Sequence, residues 1–273
     1  MRAKQTRKRY FRSLRLTVAP DRHVRNNTVG KIQMEYPQVN YLYKYCAYNT
    51  NSLSILINKK IWIAKPESFN DPFDCNINFK TDINSESFRK YRNRTGKTAG
   101  NLQRDYEIFL KGLSKFRNET IKKFGVFSMS QINDNILMWS HYAKQHKGFC
   151  IEFVRSSNNL LGNIEVTRPV DYHCYYPEVG PLDSSGNINP SIFRKMLFSK
   201  AKDWSYEKEW RLTYDEGNRE EPLPADISSI IFGLRMAYEH KKTIQNILAD
   251  QPSIRYRETK EVEYQFRLKI IDL

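Results

Sequence analysis

Glycine and proline are scarce in this chain of 273 residues, at 11 each, which argues against collagen-like, linker-like and low-complexity organisation. Cysteine is scarcer still. Cys46, Cys75, Cys150 and Cys174 lie far apart with no C-x-x-C pair; that spacing argues against a zinc knuckle and a disulfide-stapled secreted scaffold, and fits a reducing cytoplasm. No apolar run approaches the ~18–20 residues that cross a bilayer, so no membrane association is expected. The N-terminus is basic but lacks an apolar core, so it does not read as a secretory signal. Being Arg-rich and poor in acids, it shares its composition with organellar transit peptides, which stay as the alternative. No internal repeat is found.

What the chain does have is aromatic side chains and positive charge. A content of 40% hydrophobic and 13% aromatic residues is enough to bury a core, which predicts a globular protein. Forty-five Lys+Arg against 30 Asp+Glu give a net charge of +15, which points to a polyanionic partner. The charge is unevenly spread: residues 1–33 hold ten bases and one acid, residues 80–123 twelve bases and five acids, and the remainder is close to neutral. Residues 1–33 read as a solvated basic arm, with translation from Met34 as the competing explanation for it. Residues 34–273 read as a single domain carrying a basic helical insertion at 80–123.

Strand formers at Tyr41 to Tyr45 lead into a short helical turn at Ser52 to Ile57 and a second strand, Ile61 to Ile63. The prolines and the Asn-Asp pair of Pro66-Glu67-Ser68-Phe69-Asn70-Asp71-Pro72-Phe73-Asp74 mark a structured loop. In the insertion, Leu102, Tyr106, Phe109, Leu113 and Phe116 recur at helical spacing while Arg104, Lys111, Lys115 and Lys122 share the opposite arc, so one face packs and the other presents a nucleic-acid-binding stripe. Further strands are expected at Val126 to Ser130, Phe149 to Val154, Trp210 to Tyr214, Ile230 to Phe232 and Val262 to Ile270, with helices at Ile136 to His146 and Ala237 to Ala249. Strands and helices mix without a βαβ rhythm, so the expected class is α+β, with a mixed, mainly antiparallel split sheet.

Three clusters carry possible chemistry. If Glu207 to Leu212 is extended, alternation places Glu207, Glu209 and Arg211 on one face and Trp210 and Leu212 on the other; an exposed strand with a self-neutralising charge ladder is the plainer reading of the same pattern. In Trp139-Ser140-His141-Tyr142, followed by His146-Lys147-Gly148-Phe149, the two histidines, His141 and His146, are five apart, which is off the spacing for zinc on one helical face. There His141 and Tyr142 either line a pocket or simply pack. Lys44, flanked on its face by Leu42 and Cys46, needs an anion: Glu207, Glu209 or a bound phosphate. Thr95-Gly96-Lys97-Thr98 is not a phosphate-binding loop, because Tyr91 stands where the first glycine is required.

Leu42-Tyr43-Lys44-Tyr45, Ser68-Phe69-Asn70-Asp71-Pro72-Phe73-Asp74, Phe127-Ser128, Met138-Trp139-Ser140-His141-Tyr142, His146-Lys147-Gly148-Phe149 and Trp204-Ser205-Tyr206-Glu207-Lys208-Glu209-Trp210-Arg211 occur in that order. The set resembles the bacterial, phage-defence-associated domain-of-unknown-function family 2971, from about Tyr41 to the C-terminal helix. The opening strand with Asn49 to Leu56, and Glu207-x-Glu209 on a late strand, also look like the DNA- and RNA-modifying ADP-ribosyltransferases, although Lys44 stands where that pattern has Arg or His.

The second resemblance implies an ADP-ribosyltransferase-like fold and NAD as substrate. It implies Glu209 as the carboxylate stabilising an oxocarbenium-like centre and Glu207 as the group that orients or deprotonates the acceptor. It implies phosphate contacts from Lys44 and Arg211, ribose positioning by Ser128 and His141, and stacking by Tyr142. The expected function is therefore an NAD-dependent ADP-ribosyltransferase that modifies RNA or DNA. Its expected setting is a toxin or anti-phage effector, with an antitoxin or chaperone as a further partner. Two alternatives stand beside it: a metal-dependent nuclease built from Asp71, Asp74, Glu207 and Glu209, and a non-catalytic nucleic-acid-binding module.

Overall fold

In chain order the elements are β1 (Tyr41–Cys46), α1 (Thr50–Asn58), β2 (Lys60–Ile63), β3 (Asn78–Phe79), α2 (Glu86–Thr95), α3 (Leu102–Ile121), β4 (Gly125–Ser130), α4 (Ile136–Tyr142), β5 (Phe149–Val154), β6 (Thr167–Pro169), β7 (Asp171–His173), β8 (Glu178–Val179), α5 (Ser191–Leu197), β9 (Ser199–Ala201), β10 (Glu209–Tyr214), β11 (Arg219–Pro222), β12 (Ile227–Phe232), α6 (Tyr238–Ile247), β13 (Arg255–Glu261) and β14 (Leu268–Asp272). The structure is a computed structural model and describes residues 35–80, 82–96 and 100–273. The basic arm of residues 1–33 and Lys97-Thr98 lie outside the described residues.

Eight strands form one open sheet in the order β14-β13-β12-β5-β1-β4-β10-β6. Every neighbouring pair is antiparallel except β12 and β13, so the chain is α+β with a mainly antiparallel sheet. Local sequence explains several boundaries. Asn49, Ser85, Asn101 and Asn135 each accept a backbone N–H from the first turn of α1, α2, α3 and α4, which satisfies donors the helix itself leaves unpaired. Helix α4 and its cap Ala143 are followed by three consecutive left-handed residues, Lys144, Gln145 and His146. The chain then passes so close to β1 that a side chain on Gly148 would overlap the carbonyl oxygen of Cys46, leaving glycine as the residue that fits.

Alternation sorts the core onto two faces. Leu42, Phe127, Met129, Ile151, Phe153, Trp210, Leu212 and Ile230 fill one side, whereas Tyr45, Cys150 and Ile231 meet Met138 and Trp139 of α4 on the other. A third cluster holds the insertion to the body: Phe88, Tyr106, Phe109 and Leu113 pack with Phe193, Met196 and Leu197 of α5.

The sheet is nearly split in its middle. Strands β1 and β5 pair over six residues, but β1 and β4 meet through one pair, Tyr43 with Ser130. Four residues earlier the same edge of β4 is taken by Ala64, which exchanges two backbone hydrogen bonds with Val126. Between these contacts the edge at Ser128 is open, and the ammonium of Lys44 enters the gap to donate to the Ser128 carbonyl at 2.8 Å. This seam positions the candidate site.

Two expectations are corrected. The strand carrying the glutamate pair starts at Glu209, because Glu207 closes the 3-10 helix Lys202–Glu207 and Lys208 turns through a left-handed conformation with φ 45°. The expected strand from Val262 to Ile270 is the turn that follows β13 and the start of β14. Its apparent alternation came from Tyr264 and Phe266, each 97% exposed at the hairpin tip, so these aromatics answer to no core.

Candidate active site

The floor of the site is a buried charge network built from four segments. The loop before β3 supplies Asp74: Asp71 accepts the N–H of Phe73 at 2.8 Å, and Asp74 itself accepts from Cys75 at 2.6 Å, fixing the turn. Strand β9 supplies Lys200, β10 supplies Glu209 and Arg211, and the 3-10 helix supplies Glu207. Ser130 anchors that helix by donating to the Glu207 carbonyl at 2.6 Å. Alternation along β10 sends Glu209 and Arg211 to the face opposite Trp210 and Leu212.

Lys200 bridges the two glutamates, with its Nζ 2.5 Å from Oε2 of Glu207 and 3.0 Å from Oε2 of Glu209. Arg211 grips Glu209 with both arms of its fork, Nε to Oε1 at 2.9 Å and Nη2 to Oε2 at 3.0 Å, and reaches Asp74 Oδ2 at 2.7 Å. Its Nη1 donates to the Leu197 carbonyl at 2.7 Å. Tyr142 donates to the other oxygen of Glu207 at 2.5 Å, and Tyr172 accepts the backbone N–H of Glu209 at 2.7 Å. The three carboxylates face two cations, so the fully ionised network carries one net negative charge.

The two glutamates have opposite proton affinities. Burial raises Glu209, but Arg211 and Lys200 outweigh it and hold its carboxyl at about 2, so this group stays ionised. Burial also raises Glu207; Lys200 lowers it, the charge of Glu209 raises it again, and the net shift is above the ordinary carboxylate range. One site thus holds a permanent negative charge and a carboxyl poised to exchange a proton.

Above this floor the seam opens into a cavity of about 440 Å³, large enough for a small organic ligand. Lys44, Ser128, Glu207, Glu209 and Tyr142 all line it, together with Lys200, Asn70, Phe69 and Trp62. Lys44 is half-buried, rests over the Phe127 ring at 4.8 Å and has no ion pair among the described residues. Burial pulls its ammonium below the usual lysine range. Having spent one donor of three on Ser128, it is available to an anion in the cavity.

Other expected residues sit elsewhere. Arg211 is fully buried behind Glu209 and is not part of the lining, so its contact is with carboxylates rather than with an incoming phosphate. His141 is exposed, with its ring 6.3 Å from that of Tyr206. Arg104, Lys111, Lys115 and Lys122 are exposed along the outer side of the insertion, flanked by Glu107 and Glu119, and Lys115 lies 3.9 Å from Glu119. Of the carboxylates considered for a metal, Asp71 caps its turn while the others converge on Lys200 and Arg211. No group of three or more His, Cys, Asp or Glu among the described residues is arranged to hold a metal ion.

The residue missed from sequence is Lys200. Its signal was a lysine two residues beyond the apolar positions Ile192, Phe193, Met196, Leu197 and Phe198, where a buried ammonium must find carboxylates to remain charged.

Residues 138–212 match the family described as Protein of unknown function (DUF2971). The match spans α4 through most of β10, and with them Tyr142, Lys200, Glu207, Glu209 and Arg211. No curated protein matches the chain, and neither does any solved structure.

Proposed function

We propose a function from the site itself, since the family that residues 138–212 match is described without an activity: an NAD-dependent ADP-ribosyltransferase whose acceptor is nucleic acid. The observation that carries this reading is the pairing, in one cavity, of an always-ionised carboxylate, a carboxyl of raised proton affinity and a lysine with no ion pair among the described residues. Cleavage of the nicotinamide glycosidic bond builds positive charge on the ribose. Glu209 supplies fixed negative charge beneath that centre. Glu207, held by Tyr142 and Lys200, accepts the proton released by the attacking acceptor group. Lys44 meets the pyrophosphate, and Tyr142, Phe69 and Trp62 offer ring faces to the planar ends of the dinucleotide. A role as a toxic or anti-phage effector, held in check by an antitoxin or chaperone, belongs to the same proposal and rests on the family resemblance.

The test is transfer of label from adenylate-labelled NAD to RNA or DNA. The reading expects labelled nucleic acid with wild type and its loss in Glu207→Gln, which preserves shape and leaves Lys200 its second partner. Absence of both label transfer and nicotinamide release in wild type would overturn it. The nuclease reading predicts strand cleavage without NAD and loss of cutting on chelation.

A further inference from the structure

A second cavity, of about 400 Å³, lies against the first. Its lining includes Phe73, Asn76, Asn78, Tyr175 and Tyr176, with Ser199 to Ala201 of β9 along one side. The two cavities share a wall. Phe73 faces the second cavity while its neighbour Asp74 faces the first, and Lys200 contributes to both. The register of β9 with β7 explains this arrangement. Tyr172 pairs with Lys200 at the site of the glutamates, and His173 pairs with Ala201, which carries the chain directly into the segment from Cys174 to Pro177.

The chemistry of the second cavity differs from that of the first. No carboxylate lines it, and its cation, Lys200, is turned to Glu207 and Glu209. Two rings stand at its border with little cover, Phe73 at 65% and Tyr175 at 88% exposed. Exposed rings beside a concave surface, rather than scattered singly, mark a place where a ligand completes the packing. Carboxamides line the same cavity. Asn76 uses its oxygen on the N–H of Ile77, leaving its amide donors, and the Asn78 side chain has no hydrogen-bond partner among the described residues. Ring faces with uncharged donors and acceptors suit a planar, neutral, hydrogen-bonding ring. His173 also lines the cavity, and a phosphate or a carboxylate would find no unengaged lysine or arginine there.

We infer that this second cavity binds an unpaired nucleobase of a single-stranded acceptor, stacked on Tyr175 and Phe73 and held by Asn76 and Asn78, next to the carboxylates of the first cavity. This rests on the proposed nucleic-acid acceptor but not on transfer chemistry. In this arrangement the basic stripe attracts the backbone in a salt-dependent way, and the second cavity selects single strands over duplexes, because a paired base keeps both its faces stacked.

The experiment measures binding of the full chain, without NAD, to a fluorescein-labelled ten-nucleotide single strand and to a hairpin duplex of the same composition, each as RNA and as DNA. Tyr175→Ala and Phe73→Ala, both at exposed positions, are expected to weaken single-strand binding by about ten-fold each. The dependence on salt and the duplex affinity stay unchanged, and Tyr175→Phe retains binding. The RNA and DNA arms identify which strand is preferred. Equal affinities for wild type and both alanine variants overturn the inference, as does wild type that binds no single strand. Nicotinamide release, assayed separately, keeps the two proposals apart. Release with binding indifferent to Tyr175→Ala removes only the base site, whereas binding that depends on Tyr175 with no release removes only the NAD chemistry.

Discussion

At the scale of single residues, the account turns on the different work of two carboxylates two positions apart. Glu209 is gripped by Arg211 and Lys200, so Glu209→Ala leaves a fully buried guanidinium without its main partner and is expected to destabilise the fold by about 3–5 kcal/mol, read as a lowered denaturant midpoint. Glu207→Gln should instead fold normally and lose about 10²- to 10⁴-fold in turnover, the usual worth of a positioned acid or base. The pH dependence of stability follows from Glu209. Its folded value near 2 lies below its ordinary 4.5, so its contribution, about 3 kcal/mol, is present above the ordinary value and lost as pH falls toward the folded one. Denaturant titrations across that acid range check this. Glu207 runs the other way, its raised value favouring the fold as pH falls, so the Glu207→Gln background isolates the Glu209 effect. Glu207 and Glu209 were legible as a pair because the E-x-E spacing is local. Lys200 was not, since its partnership depends on β9 pairing with β7 and packing on the 3-10 helix that carries Glu207, an arrangement that the pattern around Lys200 does not encode.

At the scale of elements, the site exists because β1 and β4 fail to zip. Six pairs hold β1 to β5, one pair holds β1 to β4, and Lys44 occupies the opening. Lys44→Met should fill this gap with an apolar chain of similar length, leaving stability within about 1 kcal/mol of wild type while abolishing the cation offered to the ligand. A pyrophosphate compound such as ADP-ribose, titrated calorimetrically, would then bind wild type and not the variant. The close pass after α4 gives a second expectation. Gly148→Ala places a methyl on the Cys46 carbonyl, with backbone rather than a flexible side chain as the obstacle. It should lower stability by about 1–3 kcal/mol, visible as a lower thermal midpoint. Much at this scale was readable in advance. Strands β1, β4, β5, β10 and β12 of the central sheet showed themselves through β-branched and aromatic runs, and the long helix of the insertion through its apolar period. The short pieces β6, β7 and β9 did not, because three-residue strands carry no period, and α5 did not because it spans only about two turns. The last hairpin misled because Tyr264 and Phe266 mimic a buried alternation while standing in solvent.

At the scale of the whole molecule, charge and chemistry are segregated. The exposed cations of Arg104, Lys111, Lys115 and Lys122 lie along one side of the insertion, and the buried network lies under the seam of the sheet. Replacing Lys111 and Lys115 by Glu should therefore reduce the salt dependence of nucleic-acid binding, by about one in log–log slope for each phosphate that is no longer neutralised, and leave nicotinamide release from NAD unchanged. The helical insertion and its basic arc were visible in the sequence. That Glu107 and Glu119 border the arc was equally written there, but it acquires meaning only once the helix is set against the body. The central claim, that the cavity beneath the seam breaks the glycosidic bond of NAD, is met most directly by one measurement: nicotinamide release followed across pH for wild type and Glu207→Gln, with circular dichroism confirming that both are folded. The account predicts release by wild type with an acid limb above the ordinary carboxylate range, and loss of both the activity and that limb in Glu207→Gln. Folded wild type that releases no nicotinamide at any pH, or a Glu207→Gln variant as active as wild type, contradicts it.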